Sequence, residues 1–342
     1  MKKFLDFWKK GITRYVSEKE RNEVLAFARD LYNVDLYQDR QRLIERADLA
    51  TESDRVPEDY LILATEAFRG KEKLRALEYG FAGLQMQPEN KLVKASLLNR
   101  IGIIFQLAGA DDLALENFDM SIALDPNNPD PLAHIGELYF ANGQLEEAEL
   151  KFNEAMHLDP MNSEYHYNLG RVCLARKFYN RAETELQEAG RLDPSYTDYW
   201  MQLARVFLEQ KKYHQALEPL ERAAELAPDD LEPQIQLGRA HFYLKNRDLA
   251  EKHFKEAKQL DSKNAKIYNL LGDVYYDQKR FIQAEVEYRK AVELDPKGAL
   301  AHKNLGLVCL KRKQYEDAEK HFQESIRFDP ASVVPLVKIR IR

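Results

Sequence analysis

Apolar residues recur along this chain three and four positions apart, in stretches of about a dozen residues that polar turns separate. The stretch that begins at Thr197 places Trp200, Leu203, Ala204 and Phe207 at this spacing. Residues three and four apart share one face of an α-helix, so each stretch has one apolar face and one polar face. The pattern predicts an all-α protein built from short amphipathic helices.

The predicted helices repeat with a fixed period of about 34 residues, which is typical of helical repeat proteins. The phrase Leu-Asp-Pro or a close relative ends each unit, with Pro126, Pro160, Pro194, Pro228, Pro296 and Pro330 in register and Ser262 in the one remaining place. Seven units fill residues 95–332 without an insertion. Because proline cannot continue a helix, each of these phrases predicts a helix end and a turn into the next unit.

Two columns of small residues recur in every unit. The first helix carries Gly102, Gly136, Gly170, Ala204, Gly238, Gly272 and Gly306, and the second carries Ala114, Ala148, Ala182, Ala216, Ala250, Ala284 and Ala318. Two antiparallel helices approach closely only where their side chains are small. A single unit leaves much of its apolar face exposed when it is alone, so we expect neighbouring units to stack.

A helix pair of about 34 residues with these columns resembles the tetratricopeptide repeat (TPR). The unit that begins at Ala265 carries much of that repeat's pattern, with Tyr268, Leu271, Gly272, Tyr275, Ala284, Ala291 and Pro296. The resemblance implies a right-handed α-solenoid of stacked antiparallel helix pairs. It also implies that the first helices line a concave groove in which an extended segment of another protein binds.

The regions outside the seven regular units depart from the repeat pattern. Residues 57–94 are interpreted as a degenerate unit followed by a four-residue insertion, Lys91 to Lys94. Gly80 and Gly83 replace larger residues in that unit and predict loose packing. Residues 1–56 are interpreted as an N-terminal helical cap or a decayed repeat, and residues 333–342 as a C-terminal tail or a truncated capping helix.

Composition excludes several classes of protein. The chain has 342 residues, 32% of them charged, and a formal net charge of −6, which disfavours non-specific binding to nucleic acid. Two cysteines, Cys173 and Cys309, exclude a disulfide framework or a four-cysteine zinc site, and they favour a reducing, cytoplasmic location. No apolar run approaches the ~20 residues of a membrane span, although the amphipathic residues 1–10 leave a weak membrane contact open.

Catalytic and cofactor-binding motifs are not found in the sequence. The chain has no glycine-rich nucleotide-binding loop, no His-Glu-x-x-His and no Gly-x-Ser-x-Gly. The histidines instead follow the repeat frame, and we expect His253 and His321, which share one frame position, on an outer face. The sequence therefore predicts a non-catalytic protein that uses no cofactor and no metal.

The candidate binding residues lie at the sixth and ninth positions of three successive units. These positions pair an amide with an arginine three residues later, as Asn168/Arg171, Gln202/Arg205 and Gln236/Arg239. Residues at this spacing share a helix face. Side-chain amides can hydrogen-bond a peptide backbone of any sequence, and guanidinium groups can bind a carboxylate or phosphate with two hydrogen bonds. Phe140, Tyr167, Phe242 and Tyr243, near the same face, are candidate apolar anchors or core residues.

Two interpretations of the arginines stay open. Acidic residues at the second position of successive units, Asp130, Glu164, Asp198 and Glu232, lie two turns away on the same face. They can neutralise the arginines as exposed ion pairs, each worth about 0–1 kcal/mol, and leave a solvated groove. Alternatively the arginines bind a ligand, and the acids are displaced when it binds.

The sequence thus predicts a scaffold or adaptor for an extended, acidic or phosphorylated protein segment. One alternative is a homo-oligomer that assembles through its ends, which the apolar and basic residues 333–342 motivate. Another is an accessory subunit of a larger secretion or glycosylation machine. Nucleic-acid binding is disfavoured by the acidic balance of the chain.

Overall fold

The computed structural model describes residues 56–69, 73–86 and 88–331. The chain divides into two compact units, residues 1–178 and 179–342. Except for Val56, the predicted N-terminal cap lies outside the described residues, and so does the whole of the predicted C-terminal tail, residues 333–342. Within the described ranges all regular structure is helical, and each unit is a stack of helices.

Unit 1 contains seven described helices and unit 2 contains nine. Those of unit 1 are α1 (Pro57–Arg69), α2 (Lys73–Gln85), α3 (Lys91–Leu107), α4 (Asp111–Leu124), α5 (Asp130–Ala141), α6 (Leu145–Leu158) and α7 (Ser163–Ala175). Those of unit 2 are α8 (Tyr179–Leu192), α9 (Thr197–Glu209), α10 (Tyr213–Leu226), α11 (Leu231–Tyr243), α12 (Arg247–Leu260), α13 (Ala265–Asp277), α14 (Phe281–Leu294), α15 (Ala299–Lys311) and α16 (Tyr315–Phe328).

Consecutive helices within each unit pack against one another as antiparallel neighbours. Short turns of three to five residues join them, and such connections oblige the chain to reverse direction. The predicted stack of antiparallel helix pairs is therefore confirmed. The four residues from Lys91, interpreted as an insertion, form the first turn of α3, which makes that helix longer than the others.

The closest approach within a helix pair joins a glycine of the first helix to a ring of the second. A Cβ atom added at Gly238 of α11 would lie 2.5 Å from the ring of Phe254 in α12. In the pair α9 and α10 the equivalent residues are Ala204 and Leu220, both buried. Leucine has no planar ring to reach across the interface, so alanine fits there. Glycine is therefore required where an aromatic ring faces the column, and alanine occurs in a pair where the equivalent residue of the second helix is leucine.

The turn between the first and second helix of a pair reverses through one residue in the left-handed region. In unit 1 this residue is Gly109 or Gly143, and Lys177, which follows α7, has the same backbone conformation. In unit 2 it is a lysine at every such turn, with φ between 59° and 67°. Around Lys211 the N–H of Lys211 donates to the Leu208 carbonyl and the N–H of Lys212 to the Phe207 carbonyl, which is the Schellman helix end. A lysine in this conformation costs about 1–2 kcal/mol that glycine avoids.

The aspartates of the Leu-Asp-Pro phrases are turn residues, as the sequence indicates. The Oδ1 atom of Asp193 accepts a hydrogen bond from the Ser195 N–H at 3.0 Å, and Oδ1 of Asp261 accepts one from the Lys263 N–H at 3.0 Å. An aspartate side chain that binds a backbone N–H two residues later stabilises the turn locally. These carboxylates hold the connection between successive helix pairs.

The expectation of loose packing at Gly80 and Gly83 is wrong. A Cβ atom added at Gly80 would lie 2.9 Å from Cγ1 of Ile101, and one at Gly83 would lie 2.9 Å from Cβ of Tyr60. Both glycines therefore sit where neighbouring helices come into contact. Sequence reasoning treated the missing side chains as empty space, whereas the neighbouring helices move in to fill it.

Replacing Gly238 with alanine tests the packing rule. The added methyl group gains about 1 kcal/mol of helix propensity, but it forces the Phe254 ring to move, and overpacking of a core costs about 1–3 kcal/mol. We expect a net loss of stability and a lower Tm by circular dichroism. The double variant Gly238→Ala/Phe254→Leu, which reproduces the natural pair Ala204/Leu220, should recover most of that loss. A single variant as stable as the wild type would contradict the rule.

Candidate functional site

A groove of about 520 Å³ in unit 2 brings together two of the three predicted amide and arginine pairs. Gln202 and Arg205 come from α9, and Gln236 and Arg239 from α11. We call this the α9–α11 groove. Its remaining lining residues are Met201, Leu208, Glu209, Lys211, Tyr213, Leu220, Glu232 and Tyr243. One repeat separates the two pairs, so equivalent residues of successive helix pairs lie beside each other.

The two arginines of the groove are engaged only lightly. The Nε atom of Arg205 donates to Oε1 of Glu209 at 3.1 Å, and the Arg205 side chain is 62% exposed. Nη1 of Arg239 donates to Oε1 of Gln236 at 3.3 Å. A guanidinium group has five N–H donors, so one such bond leaves most of its hydrogen-bonding capacity for a ligand.

The amide of Gln236 links an acid to an arginine. Its Nε2 atom donates to the Glu232 carboxylate while its Oε1 atom accepts from Arg239. These two hydrogen bonds fix the orientation of the Gln236 amide. They also hold the negative charge of Glu232 near Arg239 without a direct ion pair. A ligand carboxylate or phosphate that bound Arg239 would compete with this internal arrangement.

Two tyrosines add an apolar surface to the groove. The rings of Tyr213 and Tyr243 stack with centroids 4.6 Å apart and an angle of 15° between planes, and Tyr243 is half exposed. Tyr243 is among the aromatic residues predicted near this face. Tyr213 is not among the predicted residues, because it begins the second helix of its pair and the predicted residues all come from first helices.

The third predicted pair, Asn168 and Arg171, lies in unit 1 and in a different environment. Asn168 is only 3% exposed, and its Oδ1 atom accepts from Nη1 of Arg171 at 2.9 Å. The guanidinium carbon of Arg171 lies 4.6 Å from the ring centroid of Phe140 and 5.4 Å from that of Tyr167. These two rings, which were candidate anchors for a ligand, therefore contact the arginine instead. The buried Asn168 amide does not suit the predicted role of an accessible rung.

The ion pairs in the structure differ from the salt-bridge interpretation. Arg205 pairs with Glu209, an acid which that interpretation did not include. Glu232 is connected to Arg239 through Gln236 rather than by a direct ion pair. Asp130 instead accepts a hydrogen bond from the Tyr165 hydroxyl at 3.0 Å. Sequence spacing showed which side chains share a face but not which rotamers they adopt.

Helices α5 and α7 of unit 1 carry a group of titratable side chains, His134, Glu137 and Glu164. Nδ1 of His134 lies 3.4 Å from Oε2 of Glu137, whose carboxylate also accepts from Gln106. Burial raises the pKa of Glu164 to about 7, with a further contribution from the charge of Glu137. Burial alone would lower the pKa of His134, but the Glu137 carboxylate raises it overall. This face therefore does not favour an anionic ligand.

The histidines contradict one expectation. His253 and His321 do not lie on an outer face, because each packs against another histidine of its own helix pair. The rings of His241 and His253 stack 5.4 Å apart, and Nδ1 of His302 lies 3.2 Å from Nδ1 of His321. Cys173 and Cys309 are free thiols, and both are buried.

The described residues form neither a cluster for a metal ion nor a helix that could span a membrane. In those ranges no three or more His, Cys, Asp or Glu side chains are grouped so that they could hold a metal ion. None of the helices described above has both the length and the apolar character that crossing a membrane requires.

Comparison with known proteins defines the class of this chain. Sequence models described as tetratricopeptide repeat or TPR repeat match residues 117–150, 136–176, 197–240, 231–264 and 263–331. Together the matches cover more than half of the chain, and they fall within the array that the repeat period defines. The chain therefore belongs to the tetratricopeptide-repeat family.

Curated relatives match over a short stretch. Seventy-two residues are 33% identical to the photosystem I assembly protein Ycf3 of Prochlorococcus marinus strain MIT 9312 and 32% identical to that of strain MIT 9215. Each match covers 21% of this chain and 41% of the relative, so the chain spans less than half the length of these relatives.

Solved structures show the same fold over longer stretches. The C-terminal part of a TPR protein from Cytophaga hutchinsonii has a TM-score of 0.53 and 18% identity, covering 68% of this chain and 95% of its own. YrrB, a TPR protein with an unusual peptide-binding site, has a TM-score of 0.51 and 24% identity. The match covers 58% of this chain and 99% of the YrrB chain. At these identities the similarity shows the fold alone.

The lowered pKa of His321 predicts that unit 2 loses stability in acid. Burial, the neighbouring His302 and Arg289 lower the pKa of His321 to about 4, and Asp317 opposes them only in part. In the unfolded chain this histidine titrates near its usual value of ~6.5. Protonation therefore favours unfolding, and stability should fall as the pH drops from about 6.5 towards 4. We expect the Tm to decrease over this range, and His321→Gln to flatten the decrease. An equal decrease in the variant would show that other groups cause it.

Proposed function

We propose that this chain is a non-catalytic scaffold or adaptor whose α9–α11 groove binds an extended, acidic or phosphorylated segment of another protein. The observation that carries the proposal is the placement of two lightly engaged arginines, Arg205 and Arg239, one repeat apart in a single groove. A cytoplasmic location remains part of the proposal.

The charges in the groove favour an anionic ligand that displaces an internal acid. The pair of Arg205 and Glu209 is exposed, so breaking it costs at most about 1 kcal/mol. A ligand carboxylate or phosphate that binds the guanidinium with two parallel hydrogen bonds gains more, about 1.5–3 kcal/mol. Lys211 at the end of the groove adds a further cation.

The amides and tyrosines supply the remaining contacts of an extended segment. Gln202 and Gln236 can each donate to and accept from a peptide backbone, whatever its sequence. The stacked rings of Tyr213 and Tyr243 present an apolar face for one ligand side chain. The combination suits a segment in which an acidic residue lies close to an apolar one.

The family supports a role in protein interaction, and the groove residues support the choice of ligand. YrrB has a peptide-binding site, but its similarity to this chain is one of fold, and the ligand proposed here rests on the groove itself. Self-assembly through the ends and a role as an accessory subunit stay predictions. The tail that motivates self-assembly lies outside the described residues.

A degenerate peptide library tests the proposal. The full chain is screened against extended peptides that differ only in phosphoserine, glutamate, serine or glutamine at one position, and the affinities of the hits are measured by fluorescence polarisation. We expect tight binders to carry the anionic residue. Arg205→Ala/Arg239→Ala should weaken them about 10-fold or more, because each arginine provides a charged hydrogen bond.

A matched variant controls for the loss of two charges. Arg222→Ala/Arg327→Ala removes two exposed arginines of unit 2 that pair with nearby glutamates outside the groove. Its affinity should remain within about twofold of the wild type. Equal weakening in both double variants, or hits that show no preference for an anionic residue, would contradict the proposal.

Arg171 provides a separate measurement. Because Phe140, Tyr167 and Asn168 already hold its guanidinium group, we expect Arg171→Ala to weaken binding less than either arginine of the groove. A loss as large as that of Arg239→Ala would show that the binding site extends into unit 1.

A further inference from the structure

One edge of unit 2 is basic, although the chain as a whole is acidic. The antiparallel stack places all turns from first to second helices at one end of the helices and all turns between pairs at the other. The first set, residues 209–214, 243–248, 277–282 and 311–316, holds nine Lys or Arg and four Asp or Glu. The second set holds three Lys or Arg and seven Asp or Glu, in residues 192–198, 226–232, 260–266 and 294–300. We call the first set the lysine edge.

The backbone of the lysine edge does not explain its lysines. Lys211, Lys245, Lys279 and Lys313 all have φ near 60°, the region that glycine adopts without strain. Gly109 and Gly143 form the equivalent turn in unit 1 with the same hydrogen bonds. Since glycine serves the turn equally well, the feature that distinguishes lysine is its side chain, which is exposed at all four positions.

The arginines of the edge form ion pairs within the described fold, whereas the four lysines with φ near 60° do not. Arg247 pairs with Asp277, Arg280 with Glu251 at 2.7 Å, and Arg312 with Glu285. These pairs connect neighbouring helix pairs. Within the part of the chain that the structure describes, Lys211, Lys245, Lys279 and Lys313 form no ion pair. Their charges therefore face solvent.

Large exposed apolar side chains follow three of these lysines within four residues of sequence. Leu249 follows Lys245 and is 43% exposed, Ile282 follows Lys279 and is 68% exposed, and Tyr315 follows Lys313 and is 47% exposed. Each belongs to the first turn of a second helix. The lysine edge thus has exposed apolar side chains in or directly after its turns, at different positions of the repeat, in addition to its solvated ammonium groups.

We propose that the lysine edge binds the surface of a bilayer that contains anionic phospholipids. Lysine is attracted to the headgroup phosphates, and isolated apolar or tyrosine side chains enter the boundary between headgroups and acyl chains. Nucleic acid would meet the same charges but would leave the apolar side chains exposed. An acidic peptide fits a groove better than a row of exposed turns.

The lysine edge meets the α9–α11 groove at Glu209, Lys211, Tyr213 and Tyr243, whereas Lys245, Lys279 and Lys313 do not line the groove. Lys211 borders that groove, so it is left unchanged in the test, which uses Lys245, Lys279 and Lys313. The substitutions at Lys245, Lys279 and Lys313 therefore change the proposed membrane surface without changing a residue that lines the groove. Failure of either proposal can therefore be recognised without reference to the other.

The experiment is co-sedimentation of the full chain with vesicles. One set contains phosphatidylcholine alone, and the other contains about 30% phosphatidylglycerol. We expect the wild type to bind the anionic vesicles at low salt, to bind phosphatidylcholine much less, and to be released by 0.5 M NaCl because salt screens the attraction. Lys245→Gln/Lys279→Gln/Lys313→Gln should lower the partition coefficient about 10-fold or more, since each lysine near an anionic surface contributes several-fold.

Two further variants control for other causes of a loss of binding. One controls for the loss of net charge, and the other controls for a folding defect. Lys263→Gln/Lys266→Gln/Lys297→Gln removes three cations from the opposite edge and should bind within about threefold of the wild type. Lys245→Gly/Lys279→Gly/Lys313→Gly should lose binding like the glutamine variant while keeping or raising the Tm, because glycine suits the left-handed turn.

Each alternative result contradicts the proposal. Absence of wild-type binding to anionic vesicles overturns it, as does equal loss in the two glutamine variants. Retained binding in the lysine-edge variant would place the membrane contact elsewhere, for example in residues 1–10. Ile282→Ser at unchanged charge should also weaken vesicle binding, and retention on a heparin column without vesicle binding would show a purely electrostatic surface for another polyanion.

Discussion

The contact on which the structure depends is the crossing of the two helices in each pair, where a glycine or alanine of the first helix meets a large side chain of the second. A Cβ atom at Gly238 would overlap the ring of Phe254, and Ala204 is accommodated because Leu220 faces it. This contact fixes how close the helices lie and how they are rotated about their axes. Once both are fixed, equivalent residues of successive helix pairs within a compact unit point in the same direction, and one helix pair can stack on the next.

Rows of equivalent residues are the functional consequence of that constraint. A residue placed once per repeat comes to lie beside its counterpart in the next helix pair. A residue type that recurs at the same position of successive repeats therefore forms a continuous row on the surface. Gln202 and Gln236, with Arg205 and Arg239, become two rungs of one groove. The left-handed lysines become one basic edge, because the Schellman turn recurs at the end of each first helix in unit 2. Arg280 and Arg312, in contrast, are used to join neighbouring pairs.

The period and the small-residue columns were sufficient to predict the helix pairs, since steric limits at the crossing leave little choice of residue. They also placed Gln202, Arg205, Gln236 and Arg239 on a common surface. They did not predict the burial of Asn168 or the pair of Arg205 with Glu209, which depend on rotamers and on neighbouring side chains. Tyr213 was missed because it comes from a second helix. The contacts at Gly80 were misjudged because a missing side chain was read as space rather than as closer helix packing.

The central claim is that Arg205 and Arg239 bind an anionic group of an extended segment, and side-chain NMR tests it most directly. The arginine Nε–H and glutamine Nε2–H signals of the full chain are followed while a phosphorylated peptide that binds it is added. The account requires large shifts for Arg205, Arg239, Gln202 and Gln236, with little change for Arg222 and Arg327, which lie outside the groove. Saturable binding that leaves the signals of Arg205 and Arg239 unmoved would contradict it.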